Sequence, residues 1–79
     1  MGYDEEKVDD AVLALLWLTV WDDRPASRAW KGHDCAAMDR LHRKGYIADP
    51  KGKAKSVVIT DEGKVQAEQL FRQFFGKST

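Results

Sequence analysis

The fold is constrained most by the stretch LHRKGYIADPKGKAKSVVITDEG, residues 41–63. Gly45 predicts a helix end, because glycine takes the left-handed conformation that follows a helix, and Tyr46 supplies the hydrophobic contact beyond it. Two runs suited to β-structure then flank a Pro-Lys-Gly tip, which predicts a β-hairpin over residues 46–60. Thr60 is a suitable N-cap for a further helix. A helix, a hairpin and a helix are therefore expected in direct succession.

Three helices are predicted from apolar spacing and capping residues. The first covers about residues 4–21, where apolar residues form two stripes at three-four spacing. The second covers about residues 34–44 and the last about residues 61–75, each with a capping residue before it. The predicted fold class is α+β, with one domain over residues 1–79: a long helix, a loop, a helix, a two-stranded hairpin and a C-terminal helix. Residues 76–79 are expected to fray.

The first helix is apolar nearly all round, and this predicts self-association. A chain of 79 residues is near the size at which a single core becomes marginal. One stripe of the helix can pack on the rest of the chain, whereas the other needs a second molecule or stays exposed. We therefore expect a homodimer, although the sequence leaves open which face meets the second subunit. The expected interface residues are Leu13, Leu16, Trp17, Val20, Phe71, Phe74 and Phe75.

The formal net charge of zero hides a segregated pattern. Residues 1–23 carry a net charge of −6, residues 24–60 carry +6, and residues 61–79 are neutral. A neutral total argues against a strongly electrostatic nucleic-acid binder, yet the basic segment can still present one basic face. The acidic and basic segments can equally neutralise each other within one solvated surface.

Two stretches resemble bacterial regulators. The sequence MDRLHRKGYIADP, residues 38–50, looks like the recognition-helix end and first wing strand of small bacterial winged-helix regulators. The sequence SVVITDEGKVQAEQL, residues 56–70, is similar to the second wing strand and final helix of the MarR and PadR groups. The resemblance implies a small, truncated winged helix, because residues 22–32 leave room for at most one short turn where the supporting helix should be. The whole chain also resembles a family of short bacterial proteins without an assigned function.

The resemblance implies a nucleic-acid-binding or transcription-regulatory module. Its helix residues would approach the major groove of double-stranded DNA, and its hairpin lysines would contact phosphate. Arg40 is the expected base reader, since a guanidinium can pair bidentately with guanine. Lysines at a hairpin tip also protect strand edges from aggregation, so a dimeric domain that binds an unknown protein partner and no nucleic acid is the alternative. The residues expected to contact nucleic acid are Lys31, Arg40, Arg43, Lys44, Lys51, Lys53 and Lys55.

No catalysis, cofactor or metal is expected. His33, Cys35 and His42 are the candidates for a metal site, but their spacing of two and seven residues would require distortion to bring three ligands together. The adjacent acids Asp22 and Asp23 have no nearby histidine, and they are expected in a solvated loop rather than in an acid-base pair.

The chain is expected to lie in the cytoplasm. A single cysteine cannot form an internal disulfide, which fits a reducing compartment. The apolar run over residues 11–21 has eleven residues, whereas a membrane helix needs about 20. Residues 1–10 are acidic where a signal peptide carries basic residues.

Overall fold

The computed structural model, which describes residues 2–77, contains three helices and a three-stranded antiparallel sheet. The predicted α+β class is confirmed. Residue 1 and residues 78 and 79, which include part of the predicted fraying end, lie outside the described residues. The elements in chain order are α1 (Glu5–Leu18), β1 (Trp21–Asp23), β2 (Ala26–Trp30), α2 (Cys35–Arg43), β3 (Ser56–Ile59) and α3 (Asp61–Phe75).

Helix α1 begins where its capping residue predicts and ends earlier than expected. The carboxylate of Asp4 accepts a hydrogen bond from the backbone N–H of Lys7 at 3.2 Å, which satisfies a free donor of the first turn. The helix ends at Leu18 instead of residue 21. The cause lies in the next residues, because the Thr19 hydroxyl accepts a hydrogen bond from the backbone N–H of Trp30 at 3.3 Å. This contact joins the end of α1 to the sheet.

A β-hairpin occupies the interval in which the sequence predicted a turn and a loop. Strands β1 and β2 pair with Trp21 opposite Arg28 and Asp23 opposite Ala26, and a two-residue connection containing Pro25 joins them. The hairpin was not predicted, because β1 has only three residues and two of them are aspartates, which are depleted in strands. Within residues 2–77 this hairpin stands where a helix-turn-helix would have its supporting helix.

The predicted two-stranded hairpin over residues 46–60 is instead one edge of a larger sheet. Its second strand is β3, whose main partner is β2, with Ala29 opposite Val57. Its first strand is reduced to a single bridge between Ile47 and Ile59, supported by a hydrogen bond of 2.9 Å from Ala48 N–H to Val58 C=O. The sheet order is β1-β2-β3, so the hairpin predicted from local sequence is completed by a distant strand.

The core lies between the helices and the inner face of the sheet. Helix α1 packs on both α3 and α2, and the buried side chains of β2 and β3 close the core from the sheet side. The other face of the sheet carries the exposed side chains of Trp21 and Trp30. The buried hydrophobic residues are Val12, Leu13, Ala14, Leu16, Ala29, Ala37, Met38, Leu41, Ile47, Val57, Ile59, Ala67 and Leu70.

The junction between α2 and α3 depends on a close approach of backbone segments. Gly45 follows α2 with φ +84°, the left-handed conformation predicted for it. The Thr60 hydroxyl accepts the N–H of Gly63 at 2.9 Å and lies within hydrogen-bonding distance of the Tyr46 carbonyl at 3.1 Å. A Cβ at Gly63 would overlap the Tyr46 carbonyl oxygen. Glycine is therefore required in the first turn of α3.

We expect Gly63→Ala to destabilise the protein by about 2 kcal/mol, because the added methyl group collides with backbone that cannot move alone. The gain in helix propensity, about 1 kcal/mol, is too small to compensate. Urea denaturation measures the free energy of unfolding. Gly2→Ala is the control and should change it by less than about 0.5 kcal/mol, because nothing lies near a Cβ there. An unfolding free energy equal to that of the unchanged protein would contradict the close approach.

Candidate functional site

The seven residues predicted to contact nucleic acid do not all lie at the surface. The Arg40 side chain points toward α1. Its Nε lies 2.9 Å from both carboxylate oxygens of Asp9, and its Nη1 lies 3.2 Å from Glu5 Oε2. The Arg40 side chain is only 14% exposed, whereas the prediction placed it on the outer face of the helix. That orientation is wrong, because a carboxylate on α1 attracts the guanidinium into the α1–α2 interface.

Lys44 joins the same cluster. Its Nζ lies 3.0 Å from Asp9 Oδ2 and 3.0 Å from Glu6 Oε2. Asp9 is fully buried, so its carboxylate sits beneath two cations that partly shield it from water. The outward orientation predicted for Lys44 is wrong for the same reason as for Arg40. At these residues the acidic and basic segments neutralise each other, which was one of the two readings that the charge pattern left open.

The electrostatics of this cluster keep all three groups charged. Burial alone would raise the pKa of Asp9, but the hydrogen bonds from Arg40 and Lys44 outweigh it and lower the pKa below its ordinary value of 3.8. Burial alone would lower the pKa of Lys44, but its hydrogen bonds to Asp9 and Glu6 raise it. The hydrogen bond to Asp9 also raises the pKa of Arg40. The cluster is therefore a structural tie between α1 and α2.

Lys31 has a different structural role. Its Nζ donates to the carbonyl oxygens of Pro50 at 2.6 Å and Gly52 at 3.1 Å. Asp49 Oδ1 accepts the N–H of Lys51 at 3.0 Å within the same loop. These bonds fix the path of residues 49–55, which we call the lysine loop.

Four predicted nucleic-acid contacts remain at the surface. Lys51, Lys53 and Lys55 are exposed on the lysine loop, and Arg43 is exposed at the end of α2. None of these four side chains takes part in an ion pair with any residue from 2 to 77. Their charges are therefore available to an anionic partner.

The residues predicted for a dimer interface are also divided. Leu13 and Leu16 are 1% and 0% exposed within one chain, so their assignment to a subunit contact is wrong. They are needed for the core because α3 and α2 both pack on α1. Trp17, Val20 and Phe71 are partly buried against that core.

The remaining two predicted interface residues lie at the surface. Phe74 and Phe75 are 43% and 53% exposed. The ring of Phe75 lies 5.3 Å from that of Phe71 and 6.1 Å from that of Phe74, measured between centroids. We call these three rings the phenylalanine cluster, and they form an exposed end of α3.

Sequence reasoning missed Asp9 and the two exposed tryptophans of the sheet. Asp9 precedes Leu13 by four residues and Leu16 by seven, and this place on an apolar stripe of α1 was the signal that its carboxylate would be buried. Trp21 and Trp30 are 45% and 48% exposed. Their common face follows from strand pairing, which the sequence did not reveal.

A cleft of about 390 Å³ lies between the start of α2 and the lysine loop, and His33 and Cys35 line it. His33 Nε2 is buried without a hydrogen-bond partner among the described residues, and burial lowers the pKa of this imidazole. His42 is held apart from them, with Nδ1 3.0 Å from the Ile47 carbonyl oxygen. In residues 2–77 no three His, Cys, Asp or Glu side chains are grouped so as to hold a metal ion.

None of the helices in the described part of the chain is both long and apolar enough to cross a bilayer.

Comparison with known proteins places the chain among proteins without an assigned role. Residues 4–77 match the family described as "Domain of unknown function (DUF6429)". The chain is 57% identical over 75 residues to "Uncharacterized protein y4hR" of Sinorhizobium fredii (strain NBRC 101917 / NGR234), an alignment that covers 95% of this chain and 97% of the relative. No solved structure matched the chain. These findings fit the expected family of short bacterial proteins.

The tie between α1 and α2 predicts a large effect of Asp9→Asn. The variant should lose about 3 kcal/mol of unfolding free energy at neutral pH, because the two partly buried cations lose their carboxylate. Asp10→Asn, which removes a neighbouring carboxylate outside the ion-pair cluster, is the control in the same urea titration.

The same variant should also change the pH dependence of stability. Because folding lowers the pKa of Asp9, its contribution is present above the ordinary value of 3.8 and is lost as the pH falls through its lower folded value. Unfolding free energies measured from about pH 5 down to pH 2 should therefore fall less steeply in Asp9→Asn. Parallel pH profiles would mean that Asp9 has the same pKa in both states.

Proposed function

Because this chain belongs to the family described as "Domain of unknown function (DUF6429)", its role has to be inferred from its own geometry, and we propose that it is a small nucleic-acid-binding module. The proposed contact is between the lysine loop and the phosphates of double-stranded DNA. The observation that carries this proposal is the exposure of Lys51, Lys53 and Lys55 without an acidic partner among residues 2–77.

The rigidity of the lysine loop supports this proposal. Lys31 holds two of its carbonyl oxygens, and the Lys31 N–H also donates to the Lys55 carbonyl at 3.1 Å, which continues the ladder between β2 and β3. Three cations are thus carried at alternate positions of a loop with a defined path. A cation cluster that is already ordered loses less conformational entropy when it meets a row of phosphates.

In a winged-helix interpretation, the lysine loop is the wing and α2 takes the place of the recognition helix. The element order and the bridge between Ile47 and Ile59 support this interpretation. The engagement of Arg40 with Asp9 removes the residue best suited to read a base. The proposed binding is therefore mainly to the DNA backbone and weakly selective for sequence, with Arg43 as a further phosphate contact. A regulatory role would then need specificity from another source.

A second candidate function is self-association through the phenylalanine cluster. The observation that favours it is the exposure of Phe74 and Phe75 at one end of α3, where their rings lie against each other. Aromatic residues are enriched in the centres of protein interfaces because they bury a large area with few rotatable bonds. In this alternative the protein is a dimeric interaction domain and binds no nucleic acid.

The nucleic-acid proposal predicts the behaviour of a charge-reversed lysine loop. The triple variant Lys51→Glu, Lys53→Glu and Lys55→Glu should bind a random-sequence duplex far more weakly than the unchanged chain. The slope of log K against log salt should also decrease by about 1 for each lost phosphate contact. Fluorescence anisotropy of a labelled duplex at several salt concentrations measures both quantities.

The control for this experiment is Lys7→Glu, Arg24→Glu and Lys77→Glu. It changes the net charge by the same amount at exposed residues outside the lysine loop. Equal losses in both triple variants would mean that only net charge matters. No binding by the unchanged, folded chain at low salt would rule out the proposal.

The self-association alternative predicts a different result. Phe74→Ser combined with Phe75→Ser should weaken association by about tenfold or more, because the interface loses its aromatic anchors. Sedimentation velocity over a range of protein concentrations measures the association. Val65→Ser, another exposed apolar position on α3, is the control and should leave it unchanged. A chain that is monomeric at all concentrations would exclude this alternative.

A further inference from the structure

The outer face of the sheet carries two tryptophans around an arginine. In the strand register, Trp21 lies opposite Arg28, and Arg28 lies opposite Val58. Trp30 is two residues beyond Arg28 on β2 and therefore points to the same face. This pairing places the two indoles diagonally on adjacent strands, about 7–8 Å apart at their backbones. We call Trp21, Arg28 and Trp30 the tryptophan face.

The tryptophan face is not covered by the described part of the chain. The alternate residues of β2 and β3, such as Ala29 and Val57, are buried against the helices, whereas Trp21 and Trp30 are about half exposed. Tryptophan is seldom left in water to this extent without a role, since each indole carries a large apolar area. Two such rings on one open sheet face therefore indicate a binding surface.

Two side chains of this face, those of Trp30 and Arg28, are held in place before any partner arrives. The indole of Trp30 lies over Gly32, where a Cβ would overlap its Nε1. Arg28 Nε donates to Ser56 Oγ at 2.7 Å, and Arg28 Nη2 donates to the Ser56 carbonyl at 3.0 Å. A flat aromatic surface and a fixed cation are thus presented together, which lowers the entropy cost of binding a planar, anionic ligand.

The charges around the face select among possible partners. Arg28 lies opposite Trp21 and two residues before Trp30, and Lys55, whose carbonyl accepts the Lys31 N–H, lies at the end of the ladder beside Trp30. Asp23 provides a negative charge at the opposite end, beyond Trp21. Arg28 and Lys55 together outweigh this carboxylate, so an anionic partner with flat apolar groups is favoured.

We infer that the tryptophan face binds single-stranded nucleic acid, with bases stacked on Trp21 and Trp30 and phosphates directed toward Arg28. Bases in a duplex are already stacked on each other and do not present their faces, so only an unpaired strand can use these indoles. The inference goes beyond the proposed duplex contact, because it concerns another face of the protein and another form of nucleic acid.

The test is a titration of the full chain with an oligothymidine of about 15 nucleotides, followed by tryptophan fluorescence and by anisotropy of a labelled strand. Stacking should quench the emission of Trp21 and Trp30. Trp21→Ala combined with Trp30→Ala should weaken binding by about tenfold or more, whereas Trp21→Phe combined with Trp30→Phe should retain most of it. Tyr3→Ala, an exposed aromatic residue away from the sheet, should bind normally.

The outcomes separate this inference from the duplex proposal. Circular dichroism first establishes that each variant is folded. Duplex binding that depends on the lysine loop, without oligothymidine binding, would overturn the inference and leave the duplex proposal standing. Oligothymidine binding that is lost in the alanine pair would support the inference even if duplex binding fails. Oligothymidine binding that the alanine pair leaves unchanged would overturn the inference. It would also be overturned if the unchanged chain bound no oligothymidine and formed a dimer that the alanine pair dissociates.

Discussion

The buried carboxylate of Asp9 determines which basic side chains of α2 remain at the protein surface. A lone carboxylate beneath a helix interface would be very unfavourable, so Arg40 and Lys44 must both turn toward it. This requirement fixes the rotation of α2 about its own axis as well as its distance from α1. Asp9 on α1 thus determines which side of α2 faces water.

One consequence concerns the location of any anion-binding function. If α2 had kept its cations exposed, its outer face would be the natural contact for DNA. The Asp9 cluster removes two of them, and Lys31 is used to hold the lysine loop. Positive charge remains at the loop and at Arg43, so contacts with a phosphate backbone fit the molecule better than insertion of a reading helix.

The sequence predicted what local chemistry determines and missed what depends on distant partners. Thr60 caps α3 as expected, because a capping residue acts within three positions of itself. The predicted orientation of Arg40 was wrong, because the sequence of a helix does not show which distant group a polar side chain will contact. Strand β1 was missed because Asp22 and Asp23 oppose strand formation locally and pairing with β2 compensates. The fold class could therefore be predicted from the sequence, whereas the tryptophan face could be recognised only from the pairing of the three strands.

The position of α1 also changes the argument for a partner. An apolar helix in so small a chain seemed to need a second subunit, but α1 lies at the centre, with α3 and α2 both packed on it. One stripe of α1 is covered within the molecule, as Leu13 and Leu16 show, whereas Leu15 and Leu18 on the other stripe are 37% and 63% exposed. The exposed apolar surface also includes the two tryptophans of the sheet and the two phenylalanines at the end of α3. A partner would meet those exposed rings in different surroundings, since Arg28 lies opposite Trp21 in the sheet, whereas the phenylalanine cluster packs on the core through Phe71.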